Sequence, residues 1–218
     1  MIKYISFLAF LFFSFGKIEA QKIINEATMT YKVEVENSTS NQQSQSSNSN
    51  QYNIYIKGLS SRSDLITSMG SESAVYDAKK GNGYIAKSYS GQKLLINLTK
   101  ADWMTQNAKF QQLKFNVTSE TKNISGYDCK KAISKLDSGE TIIVYFEPNL
   151  QFSNQDYTLA FPELKGLPIM IERESKGNIF RYTLSDIIYD NVASNLFEIV
   201  QKKYRVMNYE DAKRFQKK

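Results

Sequence analysis

From Thr28 to Glu36 polar and apolar residues take turns, with Met29, Tyr31, Val33 and Val35 on one side and Thr28, Thr30, Lys32, Glu34 and Glu36 on the other. A period of two is that of a β-strand with one face on a core and one in water. Tyr52, Ile54 and Ile56 alternate with Asn53, Tyr55 and Lys57 in the same way. Residues 37–50 between them are only Asn, Ser, Thr and Gln. They have nothing to bury, which predicts a flexible polar loop joining two hairpin strands. Further strands are predicted over Arg62 to Ile66, Ser73 to Ala78, Tyr84 to Tyr89 and Lys93 to Leu98, set apart by Gly70, Gly81-Asn82-Gly83 and Ser90-Gly91. A short helix should follow, capped by Thr99 with Asp102 three residues on and Trp103 and Met104 in its first turns.

Strands then resume over Lys114 to Thr121, Tyr127 to Leu136 and Thr141 to Glu147, the last two joined through Asp137-Ser138-Gly139. A short strand is predicted at Tyr157 to Ala160, before Pro162. A long pair, Leu167 to Glu174 and Asn178 to Asp190, turns at Lys176-Gly177. Asn208 is the cap of a terminal helix that has Glu210 and Asp211 in its first turn and Lys213, Arg214 and Lys217 near its end, an order that suits the helix dipole. Strands at this spacing with two short helices read as a mainly β domain: a sandwich, a barrel or a curved antiparallel sheet.

Three runs break the alternation: Leu94-Leu95-Ile96, Ile142-Ile143-Val144-Tyr145-Phe146 and Ile169-Met170-Ile171. A strand apolar on both faces needs the core on one side and a helix, a partner or a ligand on the other. A ligand cavity, if present, is expected among Trp103, Met104, Ile142, Val144, Phe146, Ile169 and Ile171, where these runs lie beside the helix.

The N-terminus has a different character. Lys3 supplies a positive start, Ile5 to Phe15 is almost wholly apolar, Gly16 breaks the run and Ile18-Glu19-Ala20 ends it on a small residue. This is the layout of a secretory signal peptide over residues 1–20, cleaved before Gln21. Its apolar stretch is shorter than the ~20 residues of a spanning helix, and no second stretch of spanning length follows. The expectation is one exported domain over residues 21–218, without a transmembrane segment.

Charge and residue types then narrow the chemistry. The chain has 28 Lys and Arg against 22 Asp and Glu, interspersed and without a basic run, so no nucleic-acid partner is expected. With no histidine there is no Ser-His-Asp or Cys-His nucleophile, no imidazole base and no histidine-ligated metal. Cys129 is alone, so no internal disulfide forms and the thiol is expected to pack as a small hydrophobe. Carboxylate pairs remain: Asp186 and Asp190, Glu172 and Glu174, Glu210 and Asp211. In a strand Glu172 and Glu174 sit roughly 6.8 Å apart on one solvated face, and Glu210 and Asp211 serve the helix start. No catalytic residue, metal site or cofactor is expected. Asn-x-Ser/Thr sequons at Asn37, Asn97, Asn116 and Asn123 are read as chance in an Asn- and Ser-rich chain.

The second half carries a resemblance. Ile124-Ser125-Gly126-Tyr127-Asp128-Cys129 leads into the strand that ends at Glu147-Pro148-Asn149-Leu150. Gly166-Leu167-Pro168-Ile169-Met170-Ile171-Glu172 follows, and then Leu196-Phe197-Glu198-Ile199 with Tyr204-Arg205-Val206-Met207. In this order the segments resemble the uncharacterised exported bacterial families that include GLPGLI, grouped with the LolA/LolB-like carriers. The resemblance implies a curved, unclosed antiparallel barrel with helices over a hydrophobic concavity, located in the periplasm or at the envelope, and it implies no catalytic residues. On that basis the expected function is a non-catalytic binding or carrier module for a lipid, an acyl chain or a lipoprotein. The 14 Tyr and 13 Phe of the chain suit amphiphilic ligands. The alternative is an envelope interaction or structural protein that recruits a protein partner through a sheet edge, without a small-molecule ligand. A carrier needs a continuous apolar cavity; a scaffold does not.

Overall fold

The computed structural model describes residues 21–37, 50–136, 139–175, 177–199 and 201–216. The expected signal peptide and nearly all of the expected polar loop lie outside these residues. The strands are β1 (Lys22–Ile24), β2 (Glu26–Asn37), β3 (Gln51–Lys57), β4 (Ser60–Thr67), β5 (Gly70–Asp77), β6 (Asn82–Tyr89) and β7 (Gln92–Thr99). After helix α1 (Lys100–Gln111) come β8 (Asn116–Ile124), β9 (Tyr127–Lys135), β10 (Thr141–Glu147), β11 (Leu150–Phe152), β12 (Leu167–Ser175) and β13 (Asn178–Ile188). The last elements are β14 (Arg205–Asn208) and helix α2 (Tyr209–Gln216).

Twelve strands form one sheet in the order β14-β7-β6-β5-β4-β3-β2-β13-β12-β10-β9-β8. Neighbours are antiparallel except that β14 runs parallel to β7. The two ends of the sheet, β14 and β8, do not pair with each other, so the barrel stays unclosed. β1 and β11 make a separate parallel pair.

Side-chain periodicity gives this sheet its inner face. On one arm, Ile54, Ser63, Ala74, Ile85 and Ile96 stand in register across β3 to β7. On the other arm, Val33, Tyr182, Ile171 and Val144 do so across β2, β13, β12 and β10. The apolar positions of the first alternating segments are buried as their pattern requires: Met29, Tyr31, Val33, Tyr52, Ile54 and Ile56. Val35, at the end of β2, remains 37% exposed. The opposite face is ionic. Arg181 Nε meets Glu172 at 2.6 Å and its Nη1 meets Glu36 at 2.8 Å, which is where the Glu172 carboxylate of the strand pair is used.

Local chemistry sets both helices. The Thr99 hydroxyl accepts from the Asp102 N–H at 3.2 Å, and the Asp102 carboxylate accepts from the Thr99 N–H at 2.9 Å, a closed capping box. Asn208 Oδ1 accepts from the Asp211 N–H at 2.8 Å. The helices lie on the inner face: Trp103, Tyr209 and Ala212 pack with Tyr76, Ile85, Ile96 and Leu98. The Tyr209 hydroxyl donates to Gln106 Oε1 at 3.0 Å and ties one helix to the other.

One expected strand is not formed. Tyr157 to Ala160 belongs to the connection from β11 to β12, in which the Asp156 N–H donates to Asn154 Oδ1 at 2.8 Å and the Ala160 N–H to the Tyr157 carbonyl at 3.1 Å. These local bonds turn the backbone away from any ladder. Tyr157 and Ala160 are buried because the segment crosses the concavity, where the Ser61 hydroxyl donates to the Asp156 carbonyl at 3.0 Å.

Cys129 is fully buried, and burial, with Glu147 and Asp128 nearby, pushes its thiol up to about 11. At pH 8 about one thiol in a thousand is then ionised. A chromogenic thiol reagent at pH 8 should leave the folded protein unlabelled and titrate one thiol per chain in denaturant; rapid labelling without denaturant contradicts the buried placement. The unfolded thiol ionises near 9 while the folded one stays protonated, so stability should fall as pH rises from about 9 to about 11. Burial raises the phenols of Tyr31, Tyr52 and Tyr157 in the same direction.

Candidate functional site

The two arms of the sheet do not meet over their whole inner face. Between them, α1 and the β11–β12 connection leave a cleft of about 460 Å³. One wall is Tyr52, Ser63, Leu65, Glu72, Ala74 and Ile85 from β3 to β6. The facing wall is Ile142, Ile171, Arg173, Ser175, Phe180 and Tyr182 from β10, β12 and β13. Helix α1 contributes Trp103, Asn107 and Phe110, and the connection contributes Thr158, Leu159 and Phe161. The spacing of the α1 residues explains their convergence, since positions three, four and seven apart share one helix face.

The cleft is graded from inside to outside. Tyr52, Ser63, Ile85, Trp103, Ile142, Phe161 and Ile171 are buried, while Leu65, Glu72, Phe110, Arg173, Ser175 and Phe180 are partly exposed. Trp103 stacks flat on Tyr76, with ring centroids 4.5 Å apart, and Asn107 Nδ2 donates to the Trp103 carbonyl at 2.9 Å. Phe115 packs edge-on to Phe161 at 5.4 Å behind the wall. At the outer end Arg173 lies over the Phe110 ring at 5.7 Å, a cation–π arrangement that fixes the guanidinium beside the opening.

The residues expected at a cavity divide. Trp103, Ile142 and Ile171 line the cleft. Val144 and Phe146 pack behind it with Leu113, Ala132 and Leu164, and Ile169 belongs to the cluster around Met29, Tyr31 and Ile54. Met104 is 54% exposed on the outer side of α1. The sequence reading did not include Arg173, although its register held the signal. Counting in twos from Ile169 and Ile171 puts a charged residue on the inner, apolar face. For Tyr52, Ala74, Ile85 and Phe180 the alternation marked an inner face without saying that a cleft would lie over it.

No family model matches the chain, and no curated protein does. Ile169 stands where the GLPGLI signature has its second glycine. Among solved structures the chain is similar to PNGF-II in a P21 crystal form, with a TM-score of 0.51 at 15% identity, over 88% of this chain and 33% of that one. The C2 form of PNGF-II gives 0.50 at 16% identity, over 85% and 32%. This chain therefore spans about a third of the length of PNGF-II. The MucA/MucB complex of Pseudomonas aeruginosa gives 0.42 at 12% identity, over 84% of this chain and 58% of that one, too loose a likeness to argue from. What these likenesses carry is the fold alone.

The charged groups around the cleft are already accounted for, with one exception. Glu72 is paired with Lys87 at 2.9 Å. Ser175 Oγ donates to Glu140 at 2.8 Å. Arg173 makes no ion pair among the described residues, where its nearest polar contact is Nη2 to Ser175 Oγ at 3.5 Å. Among the described residues no three Cys, Asp or Glu side chains gather where they could hold a metal ion, and no helix is long and apolar enough to cross a membrane.

Proposed function

We propose that this protein is an exported, non-catalytic binding or carrier module that holds a hydrophobic ligand, a lipid or acyl chain, in the concavity of its unclosed sheet. The observation that carries this reading is the cleft itself. Its volume of about 460 Å³ lies within the roughly 300–1,000 Å³ usual for small-molecule sites, and its aliphatic and aromatic walls are interrupted by Ser63, Glu72, Gln106, Asn107, Thr158, Arg173 and Ser175. A chain laid along these walls gains ~0.8 kcal/mol for each methylene it withdraws from water. Of the carboxylates named from the sequence, Glu172 pairs with Arg181, Asp190 accepts from the Asn191 N–H, and Asp211 stands at the start of α2.

The sheet edge offers less to the alternative reading of a scaffold that recruits a protein partner. The outer edge of β8 is unpaired among the described residues, but its ladder shifts register between Val117 and Thr121 and Glu120 and Lys122 stand along it. Bulges and charges of this kind oppose the addition of another strand.

Native mass spectrometry on the protein purified from its own envelope, with lipid extraction, tests the carrier reading. The expected result is an acyl-chain species near one per protein. Protein that arrives empty and takes up no fluorescent acyl probe contradicts it, and a pull-down for a partner at the β8 edge is then the measurement to make.

A further inference from the structure

We propose that the ligand is an amphiphile with an anionic headgroup, held at the mouth of the cleft by Arg173 while its hydrocarbon runs inward along α1; this rests on the carrier reading above. Two polar atoms of the lining are buried without a hydrogen-bond partner among the described residues, Arg173 Nε and Trp103 Nε1. Both are N–H donors with no capacity to accept. Arg173 Nε, at the mouth of the cleft, thus has no acceptor among the described residues, and an anionic headgroup supplies one. Of its two charged lining residues, Glu72 is neutralised by Lys87 at 2.9 Å and Arg173 is not neutralised by any described carboxylate. Glu140 accepts from the hydroxyl of Ser175, the residue that Arg173 Nη2 contacts, at 2.8 Å. The cleft therefore keeps one positive charge with a planar donor fork, the geometry that matches a carboxylate or phosphate.

Position gives the amphiphile its direction. Arg173, Ser175 and Phe180 lie at the partly exposed end, with Ile142 beside Arg173 in register on β10, and Ile85 and Trp103 lie at the buried end. Phe110, under the guanidinium, and Trp103 are seven positions apart on α1, about 10 Å along its axis. A headgroup beside Arg173 thus keeps contact with water while the chain passes over the Phe110, Ile171 and Tyr182 surfaces. The stack of Phe110 under Arg173 holds the fork in place before a ligand arrives, which reduces the ordering cost of binding.

Four probes test this by displacement of a fluorescent acyl probe or by calorimetry: dodecanoate, dodecyl phosphate, dodecanol and inorganic phosphate. The expected result is that dodecanoate and dodecyl phosphate bind at least about tenfold tighter than dodecanol, the scale of a charge-assisted contact. In Arg173→Gln that advantage should vanish while dodecanol affinity changes by much less, with circular dichroism showing the variant folded; Arg173→Lys should keep part of it. A relative gain for the carboxylate or for the phosphate distinguishes the two sources of the anion. Equal binding of dodecanol and dodecanoate, or an anionic advantage that survives in Arg173→Gln, overturns the headgroup assignment and leaves the carrier reading standing. Displacement by inorganic phosphate as strong as by dodecyl phosphate overturns the amphiphile in favour of a small anion. If no probe binds at all, dodecanol included, the carrier reading fails and this inference with it.

Discussion

Ile169→Ala should lower the stability of the protein by ~2–5 kcal/mol and leave the ligand affinity of the folded fraction almost unchanged. Ile169 is fully buried in the cluster of Met29, Tyr31, Ile54 and Leu184, and removing its branched carbons opens a void that these neighbours cannot collapse to fill. For a chain of this size the loss corresponds to a Tm lowered by roughly 5–20 °C. Ile169 lies outside the cleft lining, so a probe that binds between the sheet arms does not touch it. Calorimetry of unfolding, with probe titration well below the lowered Tm, measures both quantities. Loss of binding at a temperature where circular dichroism shows native structure would mean that the ligand reaches into this cluster instead.

The complementary change is Ala74→Phe. Ala74 is a partly exposed lining residue on β5, opposite Ile85 in register, and its methyl group marks the floor of the cleft. A phenyl ring there takes up the space that a hydrocarbon chain needs while β5 keeps its ladders to β4 and β6. Affinity for the fluorescent acyl probe should fall by more than tenfold, with stability changed by less than ~1.5 kcal/mol because an aromatic residue suits a strand beside a void. Unchanged affinity with unchanged Tm would show that the probe sits elsewhere. Together the two variants separate what holds the fold from what holds the ligand.

How much of this could be read from residues alone depends on how local each feature is. The Thr99–Asp102 capping box and the Asn208 cap are legible because all their atoms come from four neighbouring residues. β2 and β3 are legible because one face is wet and one dry, and the alternation records it. The double-sided apolar run of β10 correctly signals cover on both faces, since Ile142, Val144, Tyr145 and Phe146 are all buried. Tyr157 to Ala160 misleads for the same reason: burial in a connection that crosses the concavity leaves the apolar signature of a strand without its hydrogen bonds. β14 is invisible because Arg205, Val206 and Asn208 are exposed and only the partner β7 makes the segment a strand. The cleft draws its walls from strands on both arms, a helix and a connection, and no single stretch of chain contains its shape. Arg173 is the exception, a charge in an apolar register that could be found by counting in twos.

The parallel pairing of β14 with β7 also bears on how the chain reaches its folded state. Arg205 to Asn208 lie against Leu94 to Asn97, so the outer edge of β7 has no neighbour until residues more than a hundred positions later have been synthesised. Through that interval Leu94, Leu95 and Ile96 stand on an open strand edge, apolar and uncharged, the kind of template on which chains join one another. The late arrival of β14 and α2 therefore acts as an assembly lock. Any nascent or clipped chain that lacks them is a sticky intermediate, and its safe handling falls to the chaperones that meet the unfolded chain.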